Sequence, residues 1–349
     1  MTHARIGTTR LDIDLPLDDG ITALHGAAGA GKTAILEAIA GFARPDRGRI
    51  LIADAIVFDG ESGVNLAPRR RRCGWVGARD ALFPHLTVRQ NLLFAADRWA
   101  RLERTRRVAE MLERFELADA LEMRPRDLTP ARRLRAEVAR ALVTEPKLLL
   151  VDGSDAGGDA GSDAARDADE GLLRLVREAF DGPVLWVLGN LDLCYSSADR
   201  LALVESGRVV GYGAAREVME HPESLEAARL AGMSNVYAAG IAALDPGRNH
   251  SRLECADFTL TAPYLKGHFK GDRVWVGIRA EDVRVHSREL EPAVNFVPVH
   301  LLRATERPRS VRLEFAGGIA AEISREQYVR QKDNKGWQVE FPPAALRVF

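Results

Sequence analysis

The chain has 349 residues, enough for two domains with hydrophobic cores, and its 49 basic and 50 acidic side chains nearly cancel, which gives no support for a nucleic-acid partner. Its three cysteines, Cys73, Cys194 and Cys255, lack metal-site spacing and make an odd count, which favours reduced thiols in a cytosol. Residues 1–20 lack the apolar segment of a signal peptide, and no apolar run approaches the roughly 18 residues of a membrane span, so we expect neither feature.

The first part of the chain alternates strand and helix patterns, and the last part contains short strands and turns. The predicted elements are strands at 11–17, 20–26, 147–152 and 183–189, helices at 32–42, 131–144 and 170–180, a hairpin over 201–213 turning at Ser206 and Gly207, and later strands at 273–278, 311–318 and 337–342. Continuous apolar runs such as "KLLLVD" are typical of parallel strands buried on both faces. These patterns predict an α/β domain over 1–232 and a small β-barrel domain over 233–349, with a subdivision near residue 290 left open.

The segment "GAAGAGKT" (26–33) fits the pattern G-x-x-x-x-G-K-[ST] between a predicted strand and a predicted helix. In such loops, backbone N–H groups and the positive end of the helix surround phosphate oxygens. Lys32 is expected at the β- and γ-phosphates, and the hydroxyl of Thr33 and the carboxylate of Asp152 at Mg²⁺. The predicted ATP-binding residues are Gly26, Ala27, Ala28, Gly29, Ala30, Gly31, Lys32 and Thr33.

Two charged segments have more than one interpretation. Aspartates recur every four residues from Asp155 to Asp167, but the spacing matches no calcium-binding pattern, and we expect an acidic loop that enters a helix near Ala164. The run "RRRR" (69–72) has no aromatic cluster beside it. We therefore predict a solvated loop there rather than a nucleic-acid patch.

On these residues the chain resembles the ATP-binding subunits of ABC importers, most closely those of molybdate importers. The matching segments are 20–50, 82–95, 139–152 and 198–213, and the β-rich tail with 276–285 resembles the family's oxyanion-binding barrel. The resemblance implies that two subunits, in a homodimer or a heterodimer, enclose two ATP molecules and drive a membrane permease. Leu82–Asn91 resembles the segment that receives the permease. The resemblance further implies a peripheral subunit at the cytoplasmic face of the cell membrane, with molybdate or tungstate as ligand of the C-terminal domain.

Several motifs of that family are altered in this chain. Gly153 stands in place of the glutamate after Asp152, Ala78 in place of the Q-loop glutamine, and Gly189 in place of the switch histidine. The signature glycines are replaced in "LTPAR" (128–132), a sequence typical of a helix start with Thr129 as N-cap and Pro130 in the first turn. The remaining candidate contacts to ATP on a second subunit are Thr129, Arg132 and the D-loop residue Asp159.

These losses bear on hydrolysis rather than on nucleotide binding. A positioned general base typically contributes about 10²–10⁴-fold to a rate, and glycine has no side chain to supply one. Three hypotheses stay open: a pseudo-ATPase subunit of an importer, a non-transporting nucleotide-binding regulator or oxyanion-binding protein, and an active importer ATPase with rearranged groups. The group that stacks on adenine also stays open, because no aromatic residue precedes Phe42 and Arg10 is one candidate.

Overall fold

The computed structural model describes residues 2–6, 9–77, 82–153, 163–287, 294–308, 310–332 and 336–349. The chain divides into two compact units, Met1–Met219 and Glu220–Phe349. The predicted domains, 1–232 and 233–349, differ in their boundary by 13 residues and stay a prediction. Among the described helices, none combines the length and the apolar character needed to cross a membrane.

The first unit consists of mixed β-sheet and helices. In chain order, its described strands are β1 (Thr2–Ile6), β2 (Thr9–Ile13), β3 (Gly20–His25), β4 (Arg49–Ile52), β5 (Ala55–Asp59), β6 (Val64–Asn65), β7 (Cys73–Val76), β8 (Leu148–Asp152), β9 (Pro183–Val187), β10 (Arg200–Glu205) and β11 (Arg208–Ala214). Its described helices are α1 (Lys32–Ala40), α2 (Val88–Ala95), α3 (Arg101–Arg114), α4 (Pro130–Leu142), α5 (Asp163–Ala179), α6 (Leu191–Ser197) and α7 (Ala215–Glu220), with 3-10 turns at Pro68–Arg70 and Pro125–Asp127.

The described strands of the main sheet have the order β1-β2-β11-β10-β3-β9-β8-β7, and those from β10 to β7 are parallel. Every residue of β8 is buried, as expected of a central strand with both faces covered. One face of this sheet packs against α1, in a cluster that joins Ile35 and Leu36 to Leu24 and Leu185. The α/β fold predicted from the sequence is therefore confirmed.

The strand predicted at 11–17 is wrong after Ile13, where β2 ends. Pro16 has no N–H group to donate to a sheet ladder, which favours the end of pairing before it. The small antiparallel sheet of β4, β5 and β6, and the helix α3, had no counterpart among the sequence predictions.

The hairpin of β10 and β11 is confirmed and lies against the phosphate loop. Ser206 and Gly207 have φ values of 49° and 79°, which suits the two central positions of a type I′ turn. The N–H of Gly207 donates to the carbonyl of Ala30 at 2.8 Å. The turn thus supports the loop over 26–31 from outside.

Arg71 contradicts the prediction of a solvated arginine run, because its side chain is buried, with 1% of the residue exposed. Its guanidinium donates to the carbonyls of Ala38 and Ile39 at 2.7 and 3.0 Å, to the Leu66 carbonyl at 2.9 Å, and to Asn65 Oδ1 at 2.7 Å. Carbonyls in the last turn of a helix lack partners within that helix and carry its negative end. Arg71 therefore caps the C-terminal end of α1.

We expect Arg71→Ala to lower the free energy of unfolding by about 2–4 kcal/mol, because it leaves several buried carbonyls without a donor. Arg71→Lys should recover only part of this loss, since one ammonium group lacks the fork of the guanidinium. Urea unfolding is the measurement, and Arg70→Ala, at an exposed position of the same run, is the matched control. Equal stability of Arg71→Ala and Arg70→Ala would contradict the capping role.

The second unit is rich in strands. Its described strands are β12 (Asn235–Asp245), β13 (His250–Glu254), β14 (Thr259–Pro263), β15 (Arg273–Ile278), β16 (Arg284–Ser287), β17 (Phe296–Val299), β18 (Leu301–Glu306), β19 (Ser310–Phe315), β20 (Ile319–Ser324), β21 (Trp337–Glu340) and β22 (Arg347–Val348), and its helices are α8 (Leu225–Leu230) and α9 (Arg325–Gln331), with a 3-10 turn at Pro343–Ala345. The described strands form the sheets β14-β13-β12-β15-β22, β16-β21-β17 and β18-β19-β20 around a shared hydrophobic cluster. This confirms a strand-rich C-terminal part that fits an OB-like domain.

Candidate functional site

The candidate nucleotide site begins where β3 ends and the chain turns into α1. Gly31, the N-cap of α1, has a φ of 100°, a left-handed conformation that favours glycine. At Gly26 an added Cβ would lie 2.1 Å from the Val204 carbonyl oxygen, so no larger residue fits there. The turn between these glycines is closed by the N–H of Ala30, which donates to Ala27 at 3.1 Å. The loop thus combines a strand end, a tight turn and a helix start, an arrangement that binds phosphate groups in proteins.

Lys32 lies at the opening of this loop. Its ammonium donates to the carbonyls of Gly26 and Ala27, each at 2.8 Å. Burial lowers the pKa of Lys32, and the nearby charge of Asp152 opposes that shift. The ammonium is therefore held by two neutral acceptors that a phosphate oxygen would outcompete.

Thr33 and Asp152 meet although they are far apart in the sequence. The Thr33 hydroxyl donates to Asp152 Oδ2 at 2.7 Å, and Asp152 is 3% exposed at the end of β8. Two neighbouring ligands of octahedral Mg²⁺ at 2.0–2.1 Å lie about 2.9 Å apart, so these oxygens have the spacing and the chemistry that Mg²⁺ prefers. When bound, Mg²⁺ would neutralise charge on the β- and γ-phosphates.

Gly153 follows Asp152 where the sheet leaves no room for a side chain. A Cβ at this position would lie 2.7 Å from the carbonyl oxygen of Val187 and 3.2 Å from Nε1 of Trp186. Trp186 is itself 2% exposed. The glutamate is therefore missing at a position against which the neighbouring strand β9 packs tightly. The sequence did not predict this packing.

Gly189 differs from Gly153, because an added Cβ there would have no atom within 4 Å. The preceding carbonyl, that of Leu188, lies 2.9 Å from Nδ1 of His25. A carbonyl only accepts, so Nδ1 carries the proton in this contact. His25 is thus an imidazole beside the position of the lost switch histidine. The sequence analysis did not name His25, although its position directly before the phosphate loop could have indicated it.

His25 should make stability depend on pH. Desolvation, followed by the charge of Lys32, lowers the pKa of His25 below its ordinary value, and the bond to Leu188 opposes the shift. A base with a lowered folded-state pKa favours unfolding as the pH falls through its unfolded pKa of about 6.5. Urea unfolding at about pH 7.5 and about pH 5.5 should give a smaller difference for His25→Asn, which keeps a donor, than for the parent chain. An unchanged difference in His25→Asn would contradict this prediction.

The start of α4 is built as predicted, with Thr129 as N-cap and Pro130 as the first helical residue. The Thr129 hydroxyl accepts from the N–H of Arg132 at 3.4 Å, and the Arg132 guanidinium donates to Asp119 at 2.7 Å. A role of Thr129 and Arg132 toward a second subunit stays a prediction. Ala78 and Asp159 lie outside the described residues.

Leu82–Asn91 is organised by one buried amide. Asn91 is fully buried; its Oδ1 accepts from the N–H of Phe83 at 2.7 Å, and its Nδ2 donates to the carbonyls of Phe83, Leu86 and Thr87 at 3.0–3.3 Å. A capping box of Thr87 and Gln90 then starts α2. The segment therefore has a defined backbone conformation, and Phe94 on α2 is 55% exposed beside Phe83.

Asn295 lies in the β-rich tail that resembles the family's oxyanion-binding barrel. Its Oδ1 accepts from the N–H of Thr261 at 2.6 Å, and its Nδ2 donates to the carbonyls of Thr261 and Phe341 at 2.8 Å. The amide is 6% exposed and fully used in joining these segments. In this arrangement the side chain of Asn295 stabilises the unit, and both Nδ2 hydrogens are used in bonds to carbonyls.

Comparisons with known proteins agree with this geometry. The ABC transporter family profile matches residues 11–155. A molybdenum import ATP-binding protein of Rhodospirillum rubrum is 37% identical over 68% of this chain and 64% of its own length. That of Brucella melitensis is 31% identical over 99% of this chain and 94% of its own length. The solved structure of an ABC transporter subunit from Clostridium perfringens, covering 62% of this chain and 87% of its own, has a TM-score of 0.53 at 23% identity, which shows a shared fold.

The profile match includes both the phosphate loop and Asp152, the two parts of the site that the fold brings together. The relative from Brucella extends the similarity through the strand-rich unit. This chain therefore belongs to the ABC transporter family, among the ATP-binding proteins of importers.

Proposed function

We propose that the chain binds MgATP as a peripheral ATP-binding subunit of an ABC importer for molybdate or tungstate, with little turnover of its own. The names of its relatives, molybdenum import proteins and a molybdate/tungstate import protein of Archaeoglobus fulgidus, support the choice of oxyanion. In this proposal residues 1–232 bind the nucleotide and residues 233–349 form a regulatory domain that takes the oxyanion.

One observation carries the nucleotide part of the proposal, namely the contact of Thr33 with Asp152 beside the Lys32 ammonium. Together they supply a cation for the phosphates and two oxygens for Mg²⁺. The adjacent Gly153 supplies neither a base nor space for one. The site therefore holds the phosphates and the metal and lacks the usual means of activating water.

The partner part of the proposal is supported by the segment Leu82–Asn91. Its conformation is fixed by Asn91, and the exposed ring of Phe94 adds apolar surface for a permease at the cytoplasmic face of the membrane. A second subunit, identical or related, would complete each ATP site through Thr129, Arg132 and Asp159. A non-transporting regulator has no use for this segment, so binding of the chain to a permease separates the two functions.

The test uses the purified chain. Titration with MgATP should give saturable binding, while phosphate release stays near the rate of a protein-free blank. Turnover that is well above the blank and is lost in Lys32→Ala would contradict the pseudo-ATPase part.

Titration with molybdate, tungstate and sulfate independently tests the ligand of the C-terminal domain. If molybdate and tungstate bind no better than sulfate, the proposed oxyanion specificity is wrong.

A further inference from the structure

A cavity of about 840 Å³ opens in the first unit, apart from the phosphate loop. It lies between α1, β4 and the segment 13–19, and it reaches the N-terminal ends of β8 and β9. Because β3, β8 and β9 are parallel, this end of the sheet is opposite the end where the phosphate loop and Asp152 lie. The cavity is therefore separate from the candidate nucleotide site.

Most of the residues that line the cavity are apolar, although polar and apolar atoms contribute similar areas to its walls. The apolar residues include Leu15, Leu17, Ile35, Ile39, Ile50 and Leu51. Leu51 is 51% exposed, which places apolar surface in contact with solvent. Small-molecule sites in proteins are concave, largely apolar and typically about 300–1,000 Å³. The volume of this cavity and the apolar majority of its lining residues agree with that description.

The outer wall, segment 13–19, is held in place rather than free to collapse into the space. The Tyr212 hydroxyl donates to the carbonyl of Pro16. Arg200 pairs with Asp18 at 2.6 Å and lies over the Tyr212 ring at 5.5 Å. These contacts from β10 and β11 make the cavity a preformed feature of the fold, which lowers the cost of binding a ligand.

The charges that line the cavity favour a cation. Four aspartates contribute to the lining, against Arg49 and Lys147. Arg49 lies 4.0 Å from Asp59, which is not part of the lining. Of the aspartates, Asp19, Asp54 and Asp181 are exposed, and their side chains make no hydrogen bond or ion pair with another residue in the described part of the chain. A space with apolar walls and exposed carboxylates in its lining fits a ligand with an apolar body and a positive charge that stays close to solvent.

We propose that this cavity binds an amphipathic organic cation, with its apolar body against α1 and β4 and its charge among Asp19, Asp54 and Asp181. The site does not depend on the proposed transport function. It does share α1 with the phosphate loop, since Ile35 and Ile39 lie on the helix that begins at Lys32.

The test compares two ions of nearly equal shape and opposite charge, tetraphenylphosphonium and tetraphenylborate, by calorimetric titration of the full chain. We expect saturable binding of the cation, at least about tenfold tighter than that of the anion. Binding of both ions with equal affinity would overturn the choice of a cation. Absence of saturable binding of the cation would overturn the site.

Variants then locate the binding. Asp54→Asn and Asp181→Asn should each weaken cation binding about two- to fivefold, the usual range for one exposed charge, while Asp97→Asn, at an exposed position outside the lining, should not. Ile39→Trp should fill the space and abolish binding, with an unchanged unfolding midpoint as the check on its fold. Lys32→Ala should leave the affinity unchanged. An unchanged affinity in all three cavity variants, or loss of binding in Lys32→Ala, would overturn the proposal.

Discussion

Lys32→Ala is expected to lower the affinity for MgATP by about 10- to 100-fold, the value of one or two hydrogen bonds to a charged group. In the free protein the Lys32 ammonium contacts two loop carbonyls at 2.8 Å. Phosphate oxygens carry negative charge and would replace the two carbonyls as acceptors of the Lys32 ammonium. Removing the ammonium therefore destabilises the ATP-bound state more than the free protein. Titration with a fluorescent ATP analogue in the presence of Mg²⁺ measures the effect.

The control for this prediction is Lys147→Ala, which removes an exposed lysine outside the phosphate loop. It should bind nucleotide as the parent chain does. Thr33→Ala tests the metal separately, because it removes one of the two oxygens that lie 2.7 Å apart. Its affinity should depend less on Mg²⁺ than that of the parent chain. Unchanged affinity in Lys32→Ala would refute the assignment of the loop.

Gly153→Glu is expected to destabilise the protein by about 1–3 kcal/mol and to leave phosphate release near the blank. The first side-chain carbon would approach the Val187 carbonyl to 2.7 Å, so β8 and β9 must separate locally. The added carboxylate would also lie beside Asp152, which is already buried, and its desolvation adds to the cost. Urea unfolding and a phosphate-release assay measure the two parts.

Two further variants isolate the steric cause. Gly153→Ala adds only the Cβ and should already account for much of the loss of stability. Gly189→His restores the other missing side chain where no atom lies within 4 Å, and should change stability by less than about 0.5 kcal/mol. If Gly153→Glu alone is stable and restores rapid hydrolysis, the loss of activity has one local cause and the packing argument is wrong.

Both predictions rest on features that the sequence identified to different degrees. The phosphate loop is a contiguous pattern, and its strand, turn and helix are local, so the sequence was sufficient to predict it. The helix start at Thr129 and the turn at Ser206 and Gly207 were predictable for the same reason. Gly153 could be recognised as a replaced residue, but its surroundings could not.

The sequence alone was therefore sufficient to predict the phosphate loop, the helix caps, the turns and the parallel α/β character of the first unit, because these features depend on local chemistry. The shared metal site of Thr33 and Asp152, 119 residues apart, was already predicted from the sequence, whereas tertiary structure alone decided the burial of Arg71 at the end of α1. It also decided the closeness of Trp186 and Val187 to Gly153, because the register that pairs Asp152 with Val187 places these strands side by side. The physical reason is that backbone conformation depends on neighbours in sequence, whereas contacts between strands depend on register, which only the packed sheet sets.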